Sequence, residues 1–225
     1  MAKAGLDKNS VIIKAAELAN KNGLGSLSMK ELAQSAGVKP PSLYNHIGSL
    51  AELQRELMLF GWREMEQRIL RAAAGFSGYE AMREMCRAFY RYATENPGVF
   101  EAMLWYNKYS DSAAMGATEN LFGFIYRFTE SAGISREAAD HLIRTLRGFL
   151  EGFSLLVNNG AFGHSADINE SFELSLDILI AGMKTLEGNN GSYCKTGRTD
   201  PGGIRGAVHL RQLDSAGSGT NSGRP

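Results

Sequence analysis

The 225-residue sequence predicts an all-α fold: a three-helix head built around a helix-turn-helix, followed by a larger helical body. Three observations carry that prediction. Apolar residues recur at helical spacing in segment after segment, and no stretch sustains the strict alternation of a half-buried strand. Ser or Asp stands three positions ahead of Glu, the spacing of a capping box, at Ser28 and Glu31, Ser49 and Glu52, Ser77 and Glu80, and Asp167 and Glu170. Glycines and prolines then fall between the periodic runs, where helices stop and restart.

Taken in order, the first helix spans Val11 to about Asn20, with Ile12, Ile13, Ala16 and Ala19 on its apolar face. Asp7 or Asn9 caps it, and Asn22-Gly23 closes it. Ser28 opens the second helix, where Leu32, Ala33 and Ala36 share a face; Gly37 ends it, because a C′ residue often needs positive φ. Pro40 and Pro41 are at home only in a first turn, where their missing N–H groups have no partner to lose. A third helix therefore runs from about Pro40 to about His46. Ala33 supplies the small side chain that two steeply crossing helices need at their contact.

Gly48 breaks the chain, and Ser49 starts a long helix reaching about Ala74. Its first half (Leu53, Leu57, Phe60) suits packing on the head, and its second half (Met65, Ile69, Leu70) packing on the body. Ser77 caps a helix to about Thr94, and Asn96-Pro97-Gly98 stops it and restarts a shorter one carrying Phe100, Met103, Leu104 and Trp105. Asp111 opens a helix to about Ala132, Ser135 caps an apolar helix to about Asn158, and Asp167 caps a last one ending near Leu186. The expected division is a helix-turn-helix domain over 7–54, a regulatory and dimerisation domain over 55–187, and a disordered tail over 188–225. The tail is rich in Gly and Ser with no apolar period.

The third helix is unusual in what it exposes. With Leu43 and Ile47 turned to the core, Lys39, Ser42, Tyr44, Asn45 and His46 are left outside. These are short or flat hydrogen-bonding groups of the kind that reach phosphates and base edges, where an ordinary solvated face carries Glu, Lys or Gln. Lys39 stands at the N-terminal end, against the helix dipole, as if a phosphate were to sit there. The plainer alternative is a polar face on a small helix of any three-helix domain.

Residues from about Val11 to Leu57 resemble the N-terminal domain of the TetR family of transcriptional repressors. The resemblance rests on Ala15-Ala16, Leu18, Gly23, Leu27-Ser28, Leu32-Ala33, Ala36-Gly37-Val38, Ser42-Leu43-Tyr44, His46 and Leu53. Two positions depart from the family pattern: Ile47 replaces a Phe, and Leu50 replaces a Lys. The resemblance implies a dimeric repressor of double-stranded operator DNA. The candidate DNA contacts are Ser28, Lys39, Pro41, Ser42, Tyr44, Asn45, His46 and Ser49.

The formal net charge of zero hides an asymmetry. Residues 1–60 hold seven Lys and Arg against five Asp and Glu, residues 61–187 hold twelve against seventeen, and residues 188–225 hold five against two. A mildly basic head on an acidic body suits a DNA reader with a separate regulatory part, though the head is too weakly charged to hold nucleic acid by charge alone. No apolar run approaches the roughly 18–20 residues that span a bilayer, and the N-terminus lacks an apolar signal segment. Cys86 and Cys194 form neither a disulfide framework nor a metal-ligand spacing. A reducing cytoplasm is the expected compartment, with no membrane partner and no cofactor.

In the body, the helix after Ser135 carries Leu142, Leu146, Phe149, Phe153 and Leu156 along a broad face, with Gly148 and Gly152 one turn apart. Mid-helix glycine costs about 1 kcal/mol against Ala, so a close-packing reason is expected. The last helix carries Phe172, Leu174, Leu176, Ile178, Leu179 and Met183 on more than one face. A two-fold four-helix dimer interface explains both; an internal core is the alternative. Arg147 to Gly163 resembles the C-terminal regulatory domain of one branch of TetR-like repressors, with Glu151 where that branch usually has His. The resemblance implies a small-molecule effector pocket, for which Trp62, Met65, Met85, Phe89, Met103, Trp105, Phe122, Arg147 and Glu151 are candidates. The acidic body and apolar interior suggest a neutral or cationic, largely apolar effector. Arg144, Arg147 and Glu151 fit a buried ion-paired cluster, a dimer salt bridge or ligand anchors. An enzyme finds no support: there is no phosphate loop, no nucleophile elbow, and Cys86 sits mid-helix among apolar neighbours, where an inert thiol is the default. The functional alternative is a ligand-independent, architectural DNA-binding protein.

Overall fold

The structure is a computed structural model and describes residues 6–104, 112–116 and 119–187. The expectations placed on Trp105, on a helix start at Asp111 and on the tail from residue 188 lie outside the described residues. The described helices are α1 (Lys8–Asn22), α2 (Met29–Ala36), α3 (Pro40–Tyr44), α4 (Leu50–Ala73), α5 (Gly78–Glu95), α6 (Pro97–Met103), α7 (Ser112–Gly116), α8 (Glu119–Ser131), α9 (Arg136–Asn158) and α10 (Ile168–Lys184). No strand occurs among the described residues.

Local chemistry sets most of the helix ends. Asp7 accepts from the Ser10 N–H at 2.7 Å, and the Ser10 hydroxyl accepts from the Asp7 N–H, so a capping box starts α1. Ser28, Ser49, Ser135 and Asp167 each accept the backbone N–H three residues on. Ser77 does not: its side chain makes no capping bond, and Gly78 beside it takes a left-handed φ of 56°. The Glu52 carboxylate departs from the box pattern too, accepting from the Gly48 N–H at 2.9 Å rather than from Ser49. A 3-10 turn at Leu24–Ser26, absent from the sequence reading, tucks Leu24 and Leu27 under α1. Of the stretch expected as one helix from Asp111 to Ala132, the described parts are the helical segments α7 and α8.

A continuous cluster of buried apolar side chains runs from Val11 in α1 to Met183 in α10. The head and body are thus fused through packed helices. α4, 24 residues and about 36 Å long, packs on α1 at one end and on α5 and α6 beyond. α5 packs on α9, α8 on α9, and α10 on both α5 and α9. The α5–α10 seam carries a charged clasp: Arg87 donates to both oxygens of Glu173, at 2.8 and 2.6 Å, and to Glu84, while Arg83 reaches Asp177 at 2.6 Å. The Arg87 guanidinium holds the Glu173 carboxyl below the usual carboxylate range. Beside the clasp, Tyr90 stacks on Phe172 with ring centroids 4.1 Å apart, and Phe149 and Phe153 pack round the same ring.

Candidate nucleic-acid interface and interior cavity

The helix-turn-helix is α2, a tight turn and α3. Gly37 takes φ 67°, and the Val38 N–H returns to the Ala33 carbonyl at 3.0 Å, which reverses the chain without a Cβ clash. Lys39 is in extended backbone ahead of α3, and Pro40 and Pro41 fill its first turn. Leu43 and Ile47 are fully buried, as their spacing predicts. Lys39, Pro41, Tyr44 and Asn45 are exposed, and Ser42 and His46 are half-buried beside them. Tyr44 bares 53% of its surface, a large share for an aromatic side chain with no described role in the core. Six of the candidate DNA contacts therefore lie on or next to one five-residue helix. Ser28 and Ser49 are elsewhere, as the N-caps of α2 and α4.

The interior cavity lies between α4, α5, α8 and α9 and has a volume of about 50 Å3. α4 contributes Trp62 and Ile69; α5 contributes Met82, Met85, Cys86 and Phe89; α8 contributes Leu121, Phe122 and Ile125; α9 contributes Ile143, Leu146, Arg147 and Leu150. The structure thus brings together Trp62, Met85, Phe89, Phe122 and Arg147 from the sequence candidates. Met65 and Met103 are fully buried in the core and do not line it. Glu151 stands one turn behind the wall and accepts from the Arg147 Nε at 2.6 Å. Arg144 is exposed on α9 and does not line the cavity. The liners missed in the sequence fall on the stripe of each helix that faces the core, such as Ile143, Leu146 and Leu150 on α9, and that stripe looks like ordinary core. Burial pushes the Cys86 thiol up to about 12, so Cys86 is not a nucleophile here. No cluster of three or more His, Cys, Asp or Glu suited to a metal occurs among the described residues.

α6 joins the head to the body, a role the sequence did not reveal. The Asn20 side chain, at the end of α1, accepts from the N–H groups of both Gly98 and Val99, at 3.1 and 3.0 Å, and donates to Asn96 at 3.0 Å. Asn20 thereby caps α6 from 78 residues away in sequence. On the other flank, Val99 and Met103 press on Gly61 of α4, where a β-carbon would come within 2.7 Å of both. α6 is wedged between α1 and α4.

The outer faces of α9 and α10 are left uncovered. Leu174 and Ile178 are 61% and 64% exposed, and Leu156 is bare as well. Gly148, Gly152 and Gly182 have nothing within 4 Å of where a β-carbon would stand, so packing within the chain does not require them.

A model of bacterial regulatory proteins of the tetR family matches residues 11–57, and a tetracyclin repressor-like C-terminal domain matches residues 82–179. YobS of Bacillus subtilis (strain 168), described as an uncharacterized HTH-type transcriptional regulator, is 30% identical over 182 residues, covering 80% of this chain and 94% of YobS. The chain belongs to the TetR family of transcriptional regulators. Its members are DNA-binding transcription factors and not enzymes, as the sequence led us to expect. The fold recurs in a TetR variant from Acinetobacter baumannii AYE in complex with minocycline, at a TM-score of 0.63 and 22% identity over 81% of this chain and 99% of that one. It recurs in BioQ with its natural double-stranded DNA operator, at 0.58 and 23% over 80% and 99%. The two matched family segments are bridged by α4, which begins inside the first and carries Trp62 and Ile69 of the cavity wall between them.

Proposed function

We propose that this regulator is a cytoplasmic repressor that holds a near-palindromic duplex operator as a homodimer and is released by a small molecule entering the interior cavity. Residues 7–54 read the DNA and residues 55–187 bind the effector and the second subunit. α3 enters the major groove with Lys39, Pro41, Ser42, Tyr44, Asn45 and His46 at its surface, and Ser28 and Ser49 lie at the flanking helix starts. The uncovered faces of α9 and α10 form the dimer. No described helix is long and apolar enough to cross a membrane.

The observation that carries this reading is the reach of α4. Leu53 and Leu57 are fully buried in the head, while Trp62 and Ile69 of the same helix line the cavity. A cavity of about 50 Å3 holds a few waters at most, so an effector must widen it and displace those residues. The helix then carries the displacement to the head, and the α6 wedge carries it to α1. Operator half-sites are fixed on the duplex, so heads that change separation lose it. That BioQ has been solved on its operator, and the TetR variant with minocycline, supports both halves of the scheme.

By linkage, effector and operator weaken each other by the same factor, about 5- to 150-fold for a coupling of 1–3 kcal/mol. The test is effector affinity with and without saturating operator. Equal affinities, for a compound that occupies the cavity, favour the ligand-independent architectural protein instead.

A further inference from the structure

α4 holds one glycine, Gly61, at the middle of its 24 residues. Glycine in a helix interior is unfavourable against alanine, and Gly61 does not adopt the positive φ that glycine alone takes easily. What it provides is space. Atoms of Val99 and Met103 in α6 stand 2.7 Å from where its β-carbon would be, about an ångström inside ordinary carbon–carbon contact. Gly148, Gly152 and Gly182, also helical, meet nothing within 4 Å. Met103 is unbranched and adaptable, so its thioether can swing aside. Val99 is β-branched and stiff, and its N–H is bonded to Asn20 of α1 at 3.0 Å. One residue thus meets the middle of α4 with its side chain and the end of α1 with its backbone.

The head is therefore mounted at two points. Leu53 and Leu57, fully buried, tie it to the first half of α4, and Asn20 and Ala19 tie it to α6 at Gly98. The gap between α4 and α6 at Gly61 fixes the spacing of the two mounts. We infer that Gly61 is a positioning residue for DNA binding: by carrying no side chain, it lets α4 and α6 close to the spacing at which the head stands in its operator-reading orientation. A β-carbon there pushes Val99 off α4. Asn20 and the end of α1 follow, the other mount stays where it is, and the head turns. α3 keeps its own fold and surface, but the two heads of a dimer no longer meet half-sites at their fixed separation. The inference rests on the two-headed operator reading and is independent of what enters the cavity.

The test uses the full-length protein and a duplex that wild type selects from a random library, whole and cut to one half-site. Gly61→Ala binds the whole duplex about tenfold more weakly than wild type and the half-site equally well. Added to Val99→Ala, where the obstacle is gone, or to Asn20→Ala, where the tie is cut, the same change costs less than about threefold. Head placement is read without DNA from spin labels at Lys30→Cys on α2 and Gln67→Cys on α4, both exposed positions, with Cys194→Ser. Their separation shifts in Gly61→Ala and returns when Val99→Ala is added. Should Gly61→Ala fail to fold, Val99→Ile crowds the same gap from the α6 side and gives the same loss and shift. The inference is overturned if folded Gly61→Ala keeps wild-type affinity for the whole duplex, if half-site binding falls with it, if the loss persists in full beside Val99→Ala or Asn20→Ala, or if the label separation does not move. A wild type that binds half-site and whole duplex alike sinks the two-headed reading, and the label distances alone then uphold or overturn the mount.

Discussion

Gly98 at the start of α6 lies directly against the Ala19 carbonyl group of α1, so closely that a β-carbon on Gly98 would overlap it and come 2.8 Å from the Asn20 nitrogen. Together with the Asn20 cap this makes a backbone-to-backbone joint between head and body. Gly98→Ala should destabilise the protein by about 1–3 kcal/mol, because the obstacle is main chain and cannot rotate away. Asn20→Ala should cost about 1 kcal/mol, the usual loss for a helix cap. It should also reduce the mutual weakening of effector and operator while leaving effector affinity without DNA nearly unchanged. Denaturant unfolding reads the first effect and paired titrations read the second. A wild-type coupling in Asn20→Ala would remove α6 from the relay.

Tyr44 and Lys39 should separate by the kind of contact each makes. Tyr44→Ala is expected to weaken operator binding by about 1–3 kcal/mol and to relax sequence preference, as loss of a base contact does. Lys39→Ala should weaken all duplexes alike and lower the slope of log affinity against log salt by about one. Both side chains are exposed, so melting should not change. Undiminished operator binding by both variants at matched salt would show that α3 does not read the DNA.

Gly152→Leu should disrupt the dimer. The site is open within the chain and lies on α9, whose uncovered face continues onto Leu174 and Ile178 of α10. A bulky side chain there meets nothing in its own subunit and obstructs a second. Sedimentation should find monomer or aggregate; a native-like dimer would place the interface elsewhere.

Acid should loosen α10 from α5 through Glu173. Its carboxyl is held below its unfolded value, chiefly by Arg87. Such a group stabilises the fold above the unfolded pKa and loses that contribution as pH falls through the lower, folded one. At 40% exposure the contribution is about 1 kcal/mol or less after solvent screening. Glu173→Gln should therefore lower stability slightly at pH 7, and the difference from wild type should vanish as pH falls below the usual carboxylate range. A difference that persists in acid would assign the clasp to packing rather than charge.

The parts legible in the sequence are those encoded by neighbours. Ser28, Gly37, Pro40 and Pro41 act within a few residues of themselves, so the helix-turn-helix could be placed from their order alone. Ser77 misled because Gly78 beside it adopts a backbone that only glycine takes easily, and the capping bond is not made. Asn20 was invisible as a cap because the amides it serves belong to another helix far along the chain. The cavity was half legible. Trp62, Met85, Phe89, Phe122 and Arg147 stood out by chemistry, whereas Leu146, Leu150 and Ile125 follow the same periodicity as any core residue and differ only in facing a void. Met65 and Met103 have the same chemistry as the liners and face solid packing.

α3 has five residues, and only Leu43 among them is buried. Its outward side chains can be exchanged with almost no toll on the fold, so under the proposed reading of α3 a lineage can readdress such a protein to a new operator by drift and selection at a handful of surface codons. The cavity wall offers no such freedom. Its aliphatic and aromatic side chains are at the same time the core of the body, and each one altered for a new chemical signal must also be repacked. Descendants of one ancestor should therefore diverge quickly in the genes they govern and slowly in what they sense.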